Sequence, residues 1–308
     1  MLIHYRDSLL TALKSVELIL LLWLWHLLLA LVAVVPAYGW WSRTLGASPE
    51  AATLLKGFNF AVLGDVMKYD EVGGVTLLTG SVAALMVVSL AASSFIMGGI
   101  LKVLAAHHES RGLIRLFFDG GRDCYWRYVR LLLLAGVCVL VSGVIVAMVM
   151  AWIAVPAGYS DWEGADYLWA LASLLVMAVV AGFFLLALDY ARVRVALDDS
   201  RSMVRAYIRA IGFVLSHAVT AYGLALLMVI GLAVLLAGYV TYETVSPVAA
   251  SWGAIALLFV IQQAVALGYT TLRVALIDAE LRYAERLQPR AVASSAAAEA
   301  PDLPAPLP

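Results

Sequence analysis

The sequence predicts an all-α fold: a polytopic membrane helical bundle with six transmembrane helices, accompanied by interfacial amphipathic helices. Three observations predict it: six long apolar segments, a composition of 64% hydrophobic and 13% charged residues, and a one-sided distribution of Lys and Arg. An ordinary soluble domain is closer to half apolar and a quarter charged. The composition therefore excludes that class and indicates an integral membrane protein.

Each apolar segment is long enough to cross the hydrocarbon core of roughly 30 Å, which needs about 20 helical residues. The segments are residues 16–38, 75–101, 131–155, 167–188, 212–240 and 248–270. The first resembles a secretion signal, but its apolar run is longer than the roughly 7–15 residues of a signal core. We therefore expect it to be retained as span one.

Lys and Arg lie almost entirely on one side of these spans. Seventeen of the 20 fall in the two terminal regions and in the second and fourth connections, and the other three fall in the first connection. Cytoplasmic connections carry an excess of Lys and Arg. The distribution predicts six crossings with both termini in the cytoplasm.

Shorter elements accompany the spans within one predicted transmembrane domain, residues 1–288. A lead-in helix is expected over residues 1–15, with its apolar face formed by Leu2, Tyr5, Leu9, Leu10 and Leu13. An outer interfacial helix is expected over about residues 50–67. Two inner connector helices are predicted, one before span three and one from Arg201 into span five. The Ala- and Pro-rich tail, residues 289–308, is expected to be disordered in the cytoplasm.

Three inner segments resemble one another, and each has a cation at its fourth position. They are residues 99–105, 191–197 and 270–276, with Lys102, Arg194 and Arg273 at that position. Either an internal hairpin repeat or a shared need for a basic anchor at the membrane boundary would produce this pattern. In both cases the span is expected to continue as a helix beyond the bilayer.

Cations beside the inner ends of the spans are candidate contacts for anionic phospholipid headgroups. They are Lys102, Arg127, Arg130, Arg194, Arg201, Arg205, Arg209 and Arg273. The expected partners are therefore the bilayer and its anionic headgroups on the cytoplasmic side. The pattern does not identify a specific membrane-protein partner, and it indicates no binding to nucleic acid.

A few polar residues and glycines stand out within the predicted spans. The polar candidates are His26, His217, Gln262 and Gln263, and the glycines of span five are Gly223, Gly231 and Gly238. Such polar groups usually form hydrogen bonds between helices, although they could also line a substrate path. No Asp, Glu, Lys or Arg lies near the middle of a span, which argues against ion coupling. The glycines are expected to allow close helix contact.

The sequence indicates no catalytic, cofactor or metal site. Its one His cluster, His107-His108-Glu109, places adjacent side chains about 100° apart on a helix and lacks the HExxH spacing of zinc enzymes. No phosphate-binding loop or nucleophile elbow is present. Asp189, at the inner boundary, is expected to pair with Arg192 or Arg130.

Several short stretches carry a resemblance to known proteins. They are Gly98-Gly99-Ile100-Leu101, Phe117-Phe118, Cys124-Tyr-Trp-Arg127-Tyr-Val-Arg130-Leu131, Gly57-Phe58-Asn59-Phe60 and Asp189-Tyr190-Ala191-Arg192. At these residues the chain resembles uncharacterised bacterial six-span inner-membrane proteins. More loosely, it is similar to the membrane domain of some glycerophosphodiester phosphodiesterases, whose chemistry belongs to a separate domain. The resemblance implies an architecture and a bacterial cytoplasmic (inner) membrane location, and no activity.

Two functions follow as hypotheses. The first is a non-enzymatic integral membrane protein: a scaffold, assembly or envelope-maintenance component that acts through lipid and protein contacts. The alternative is a transporter or transporter subunit for a lipidic or amphiphilic substrate, which the polar residues of spans one, five and six suggest.

Overall fold

The computed structural model describes residues 2–44, 74–106, 112–157, 165–198, 202–245 and 252–287. Within these ranges the chain forms eight α-helices and no β-strand. In chain order they are α1 (Leu2–Lys14), α2 (Val16–Thr44), α3 (Gly74–Ala105), α4 (Leu113–Ala157), α5 (Ala165–Asp198), α6 (Met203–Ser216), α7 (Ala218–Val245) and α8 (Trp252–Leu287). The predicted all-α fold is confirmed.

Six of these helices are long and apolar enough to cross a bilayer. Their membrane-compatible stretches are Val16–Arg43, Thr79–Ala105, Leu113–Ile153, Leu168–Leu197, Ala218–Thr244 and Trp252–Leu287. Each overlaps one of the six predicted spans. The chain is therefore an integral, multi-pass membrane protein.

The two connector helices join their spans differently. Before span three the amphipathic stretch is continuous with the span, because α4 is a single helix of 45 residues. Before span five the helix breaks: α6 ends at Ser216, His217 has φ −124° and ψ 32°, and α7 begins at Ala218. The Ser216 hydroxyl donates to the Phe213 carbonyl oxygen at 3.0 Å, which satisfies an acceptor at the helix end. Span five therefore begins at Ala218, and the predicted start at Gly212 is too early.

Some predicted features lie outside the described residues. They are the outer interfacial helix over about residues 50–67, the tail 289–308, the His107-His108-Glu109 cluster and Arg201. Each of these stays a prediction.

The chain separates into two compact units. The first comprises Met1–Thr11, Arg130–Gly231 and Arg273–Pro308, and the second comprises Ala12–Val129 and Leu232–Leu272. In the first unit α6 packs on α5, and in the second α2 packs on α3. The sequence did not indicate this division.

Buried side chains concentrate at one end of each long helix. They are the N-terminal ends of α2, α4 and α7, and the C-terminal ends of α3, α5 and α8. We call them the basic ends, because all Lys and Arg residues of α3, α4, α5 and α8 lie there. Among the side chains that the structure describes, every buried one belongs to a basic end, to α1 or to α6. Residues 274–281 of α8 are all buried, so this stretch is covered on every face. The opposite halves expose aliphatic side chains such as Leu140 and Val234, as lipid-facing surfaces do.

The lead-in helix α1 buries only part of its surface. Tyr5, Ser8 and Ala12 are buried, whereas Leu10 and Leu13 are exposed. Of the predicted apolar face, Tyr5 is therefore buried against protein, whereas Leu10 and Leu13 remain exposed.

The backbones of α3 and α4 approach each other closely in the second unit. A Cβ atom on Gly98 would lie 2.7 Å from the Gly120 carbonyl oxygen, and one on Gly120 would lie 2.6 Å from the Gly98 carbonyl oxygen. Only glycine fits such a crossing without a shift of the helices. At Gly238, in contrast, a Cβ atom would meet nothing within 4 Å. The prediction of close packing at that glycine is wrong.

Candidate functional site

A buried ionic network occupies the basic end of the first unit. Asp189 on α5 accepts hydrogen bonds from Arg192 Nη1 at 3.3 Å and from Arg273 Nη2 on α8 at 3.0 Å. The Asp189 and Arg192 side chains are only 11% and 6% exposed. Removing charges from water costs several kcal/mol for each ion, so a network of this kind depends on close pairing. The predicted pair with Arg192 is confirmed, and Arg273 is a second partner that was not predicted.

Helical periodicity explains how these side chains meet. Asp189 and Arg192 are three positions apart on α5, so they share one face of that helix. Arg273 and Glu280 are seven positions apart on α8, about two helical turns, so they too share a face. The Asp189–Arg273 ion pair therefore connects the charged face of α5 to the charged face of α8.

Glu280 is the fourth charged residue of this network. Its side chain is fully buried, and neither carboxyl oxygen accepts a hydrogen bond from a residue that the structure describes. Asp189, Arg273 and Arg192 act on it electrostatically. The nearby Tyr190 hydroxyl is also buried without a described hydrogen-bond partner. Two acidic and two basic side chains thus share an interior that water reaches poorly.

An aromatic cluster lies beside the ionic network. Phe213 on α6 has its ring centroid 5.0 Å from that of Tyr190 and 5.9 Å from that of Tyr283 on α8. The guanidinium carbon of Arg194 lies 4.9 Å from the Phe213 centroid, which is cation–π geometry. His217 stacks on the same ring at 4.8 Å. Phe213 therefore joins α5, α6 and α8.

The helix α6 has one buried and one exposed face. The buried face packs on α5 and consists of Met203, Ala206, Tyr207, Ala210, Phe213 and Val214. The exposed face carries Arg205 and Arg209, one turn apart, beside the exposed Val204 and Ile208. A cationic strip next to an apolar strip is typical of helices that lie at a membrane interface.

A hydrogen bond anchors α6 to α5 within this packing. The Tyr207 hydroxyl donates to the Phe184 carbonyl oxygen at 3.1 Å. Burial raises the pKa of Tyr207, so the hydroxyl keeps its proton and remains a donor. The exposed face of α6 is therefore held in a set orientation relative to α5.

A second ion pair projects from the other side of α8. Arg282 Nε donates to Asp278 Oδ2 at 2.7 Å, and Arg282 Nη2 donates to Thr11 Oγ1 on α1 at 3.0 Å. The Asp278 side chain is 1% exposed. Asp278 and Glu280 are two positions apart and so point about 200° apart around the helix. The basic end of α8 therefore carries charged contacts on opposite faces.

A cavity of about 330 Å³ lies beside Arg282, between α1, α7 and α8. Its lining combines charged and polar residues (Asp7, Thr220, Arg282, Tyr283 and Arg286) with apolar ones (Leu224, Ala279 and Leu287). Tyr5 of α1 packs with Leu224 and Leu276 in a buried cluster beside it. The cavity thus has an apolar part and a charged part, as amphiphile-binding sites have.

Both glutamines predicted to lie within span six form hydrogen bonds between helices. Trp23 Nε1 on α2 donates to Gln263 Oε1 at 3.0 Å, and Gln262 Nε2 donates to the Tyr239 hydroxyl on α7 at 3.0 Å. These contacts fit the packing role that polar groups usually have in membrane helices.

The two histidines have local contacts. His26 Nδ1 lies 2.7 Å from the Leu22 carbonyl oxygen of its own helix. His217 is the C-cap of α6, one residue before α7, and its Nδ1 lies 2.9 Å from the Ser216 hydroxyl. The structure therefore places His217 at the break between two helices.

The predicted lipid-contact cations differ in exposure. Arg130, Arg205 and Arg209 are exposed, whereas Lys102, Arg127, Arg194 and Arg273 are half-buried. Half-buried cations contact protein groups: for example, Lys102 lies 2.7 Å from Asp123, Arg194 lies over Phe213, and Arg273 pairs with Asp189. The exposed guanidinium groups of this set therefore belong to Arg130 and to the α6 residues Arg205 and Arg209.

Sequence reasoning missed Asp278, Glu280 and Arg282. The i, i+4 spacing of Asp278 and Arg282 is a signal that could have identified their ion pair. Glu280 lies in a segment assigned to the cytoplasm, where an acidic residue is expected to be solvated. Its burial depends on the packing of neighbouring helices, which no local pattern shows.

Among the described residues, no group of three or more His, Cys, Asp or Glu side chains is placed to hold a metal ion. No family model, curated protein or solved structure matches the chain.

Proposed function

We propose that this integral membrane protein is a non-enzymatic scaffold, assembly or envelope-maintenance component that acts through contacts with anionic lipid and other membrane proteins. The observation that carries the proposal is the two-faced helix α6. Its buried face is fastened to α5, and its exposed face presents Arg205 and Arg209 beside Val204 and Ile208.

The chemistry of the exposed face suits an anionic bilayer surface. A basic residue near such a surface contributes about 1 kcal/mol of attraction. Arginine can extend its charged group to the headgroups while its methylene stem stays in an apolar layer. Val204 and Ile208 supply apolar area that can enter the boundary between headgroups and acyl chains.

The packing beneath α6 supports a scaffold role. The Asp189 network, the Phe213 cluster and the Tyr207 hydrogen bond hold α5, α6 and the basic end of α8 together. A surface with fixed geometry loses less conformational freedom when a partner or lipid binds to it. The surface formed by α6 on the basic ends of α5 and α8 is therefore preorganised.

The test measures lipid retention by the full-length chain. The purified protein is incubated in mixed micelles with equal amounts of phosphatidylglycerol and phosphatidylcholine, and bound lipids are counted by native mass spectrometry. The double variant Arg205→Gln, Arg209→Gln is compared with Arg43→Gln, an exposed cation at the opposite end of α2. At about 1 kcal/mol for each cation, the double variant should lose up to about 30-fold in preference for phosphatidylglycerol.

The control Arg43→Gln should retain the preference of the original chain. Equal phosphatidylglycerol retention by the double variant and the original chain would remove the lipid part of the proposal.

The proposal includes a bacterial cytoplasmic (inner) membrane location with both termini in the cytoplasm, supported by the distribution of Lys and Arg. A C-terminal fluorescent-protein fusion should fluoresce, and a C-terminal alkaline phosphatase fusion should be inactive. An active phosphatase fusion would show that the C-terminus lies on the opposite side of the membrane and would contradict the proposed orientation.

A transporter or transporter subunit for a lipidic or amphiphilic substrate is the second candidate, and Glu280 is the observation that favours it. Buried ionisable residues in membrane helices often belong to proton pathways. Proteoliposomes with the original chain should then show proton flux under an imposed gradient, and Glu280→Gln should abolish it. Flux no greater than that of empty liposomes would exclude proton coupling through Glu280.

A further inference from the structure

We propose that the cavity between α1, α7 and α8 binds the headgroup of a zwitterionic phospholipid that carries a primary ammonium group, as phosphatidylethanolamine does. Arg282 and Arg286 would contact the phosphate, and Asp7 would contact the ammonium group. This inference goes beyond the proposed function, because it concerns another surface and another lipid class than the exposed face of α6.

The first argument is the preorganised guanidinium group of Arg282. Its Nε and one Nη are held by Asp278 and Thr11 at 2.7 and 3.0 Å. A guanidinium group has five N–H donors in a fixed plane, so donors remain while the group stays oriented. Arginine binds phosphate oxygens well because its donors match their geometry.

The second argument is the charge balance. Arg282 and Arg286 line the cavity, and the lining residue Asp7 and the adjacent Asp278 offset their charges. With the adjacent Arg6 the five groups sum to +1, but the lining itself presents both signs of charge, so a ligand with separated positive and negative charges matches it. Exposed Arg6 also lies 3.4 Å from Asp7, but such an exposed pair is weak and can exchange with a ligand ammonium group.

The third argument is the size and position of the cavity. Its volume of about 330 Å³ is at the lower end of the roughly 300–1,000 Å³ of small-molecule sites, enough for a headgroup but not for a whole lipid. Thr220 and Leu224 lie in the first turns of α7, where its apolar stretch begins. The charged part therefore lies near the membrane boundary, and the apolar side chains continue toward the acyl chains.

The test uses the full-length chain, delipidated in mild detergent. Binding is followed by native mass spectrometry and by the shift in unfolding temperature on adding phosphatidylethanolamine, phosphatidylcholine, phosphatidylglycerol or free phosphoethanolamine. The original chain should bind phosphatidylethanolamine most tightly. Asp7→Asn should weaken that binding about five-fold, since a partly exposed ion pair contributes up to about 1 kcal/mol.

Three further variants keep the test decisive. Asp119→Asn, which removes an exposed carboxylate elsewhere, should leave the lipid preference unchanged. Arg286→Gln should weaken binding of all three phospholipids alike, because each has a phosphate group. The Arg205→Gln, Arg209→Gln variant should bind phosphatidylethanolamine normally, which separates this site from the proposed anionic-lipid surface.

Three outcomes would overturn the assignment. They are equal binding of phosphatidylethanolamine and phosphatidylglycerol by the original chain, an unchanged preference in Asp7→Asn, and equally tight binding of free phosphoethanolamine. The last result would indicate a soluble ligand in place of a lipid.

Discussion

The two parts of α5 have similar aliphatic content and opposite packing. In residues 168–185, Leu174 and Val179 are 65% and 62% exposed, whereas in residues 186–195 Leu188 and Val193 are 2% and 0% exposed. The difference coincides with Asp189 and Arg192, which lie only in the second part. Hydropathy falls at these charged residues and so marks the end of the apolar run, but it does not show that the aliphatic side chains beyond this point are buried.

This comparison shows where a membrane helix packs against protein. Lipid tails are as apolar as Leu or Val, so burying these side chains against another helix brings little hydrophobic gain. Charged and hydrogen-bonding groups, in contrast, are stabilised by protein partners where little water is present to bind them. In each unit the described buried side chains therefore concentrate at the basic ends.

The largest expected effect comes from removing the centre of the ionic network. Asp189→Ala would leave two guanidinium groups without their shared carboxylate, which should lower the free energy of unfolding by about 3–5 kcal/mol. Thermal or SDS-induced unfolding in micelles measures this. The control Asp123→Asn, which breaks the more exposed pair with Lys102, should cost less than about 1 kcal/mol. Equal losses in both variants would show that burial does not distinguish the two pairs.

A smaller effect is expected at the glycine crossing of the second unit. Gly98→Ala would force a Cβ atom against the Gly120 carbonyl oxygen, and overpacking of this kind should cost about 1–3 kcal/mol. Gly136→Ala is the matched control, because a Cβ atom there meets nothing within 4 Å. It should be neutral or stabilise by about 0.5–1 kcal/mol, since alanine favours the helix. The same assay compares them, and a stable Gly98→Ala variant would contradict the close approach.

The smallest effect is expected away from the basic ends. Gln263→Leu removes the hydrogen bond from Trp23 and should cost about 0.6 kcal/mol, the average for such bonds in membrane helices. A double-mutant cycle with Trp23→Phe isolates this contact. A coupling energy above about 2 kcal/mol would mean that the lipid-exposed halves also contain strong polar contacts.

The sequence predicted the spans well but the site only in part. Bilayer thickness sets a minimum length for each apolar run, so all six spans could be found without knowledge of any contact. The pairing of Asp189 with Arg192 was accessible because both lie on one helix. The pairing with Arg273 was not, because it depends on how α5 and α8 approach each other.

Other differences between the predicted and the observed structure also arise from contacts between helices. The Gly98–Gly120 crossing and the burial of Glu280 depend on contacts between helices, and neither leaves a local pattern. The break at His217 interrupts a continuous apolar pattern, so periodicity alone extended the helix through it. The exposed face of α6 was predictable because Arg205 and Arg209 follow a helical period.

By itself the sequence determined the helical class and the six segments able to cross a bilayer, since these depend on transfer free energies summed along the chain. Only the tertiary structure decided which helix ends pack, which cations turn inward to Asp189 and which carboxyl group is enclosed. The physical reason is that contact with lipid stabilises all apolar helix faces about equally. Which face packs against protein therefore depends on polar and steric contacts between distant parts of the chain.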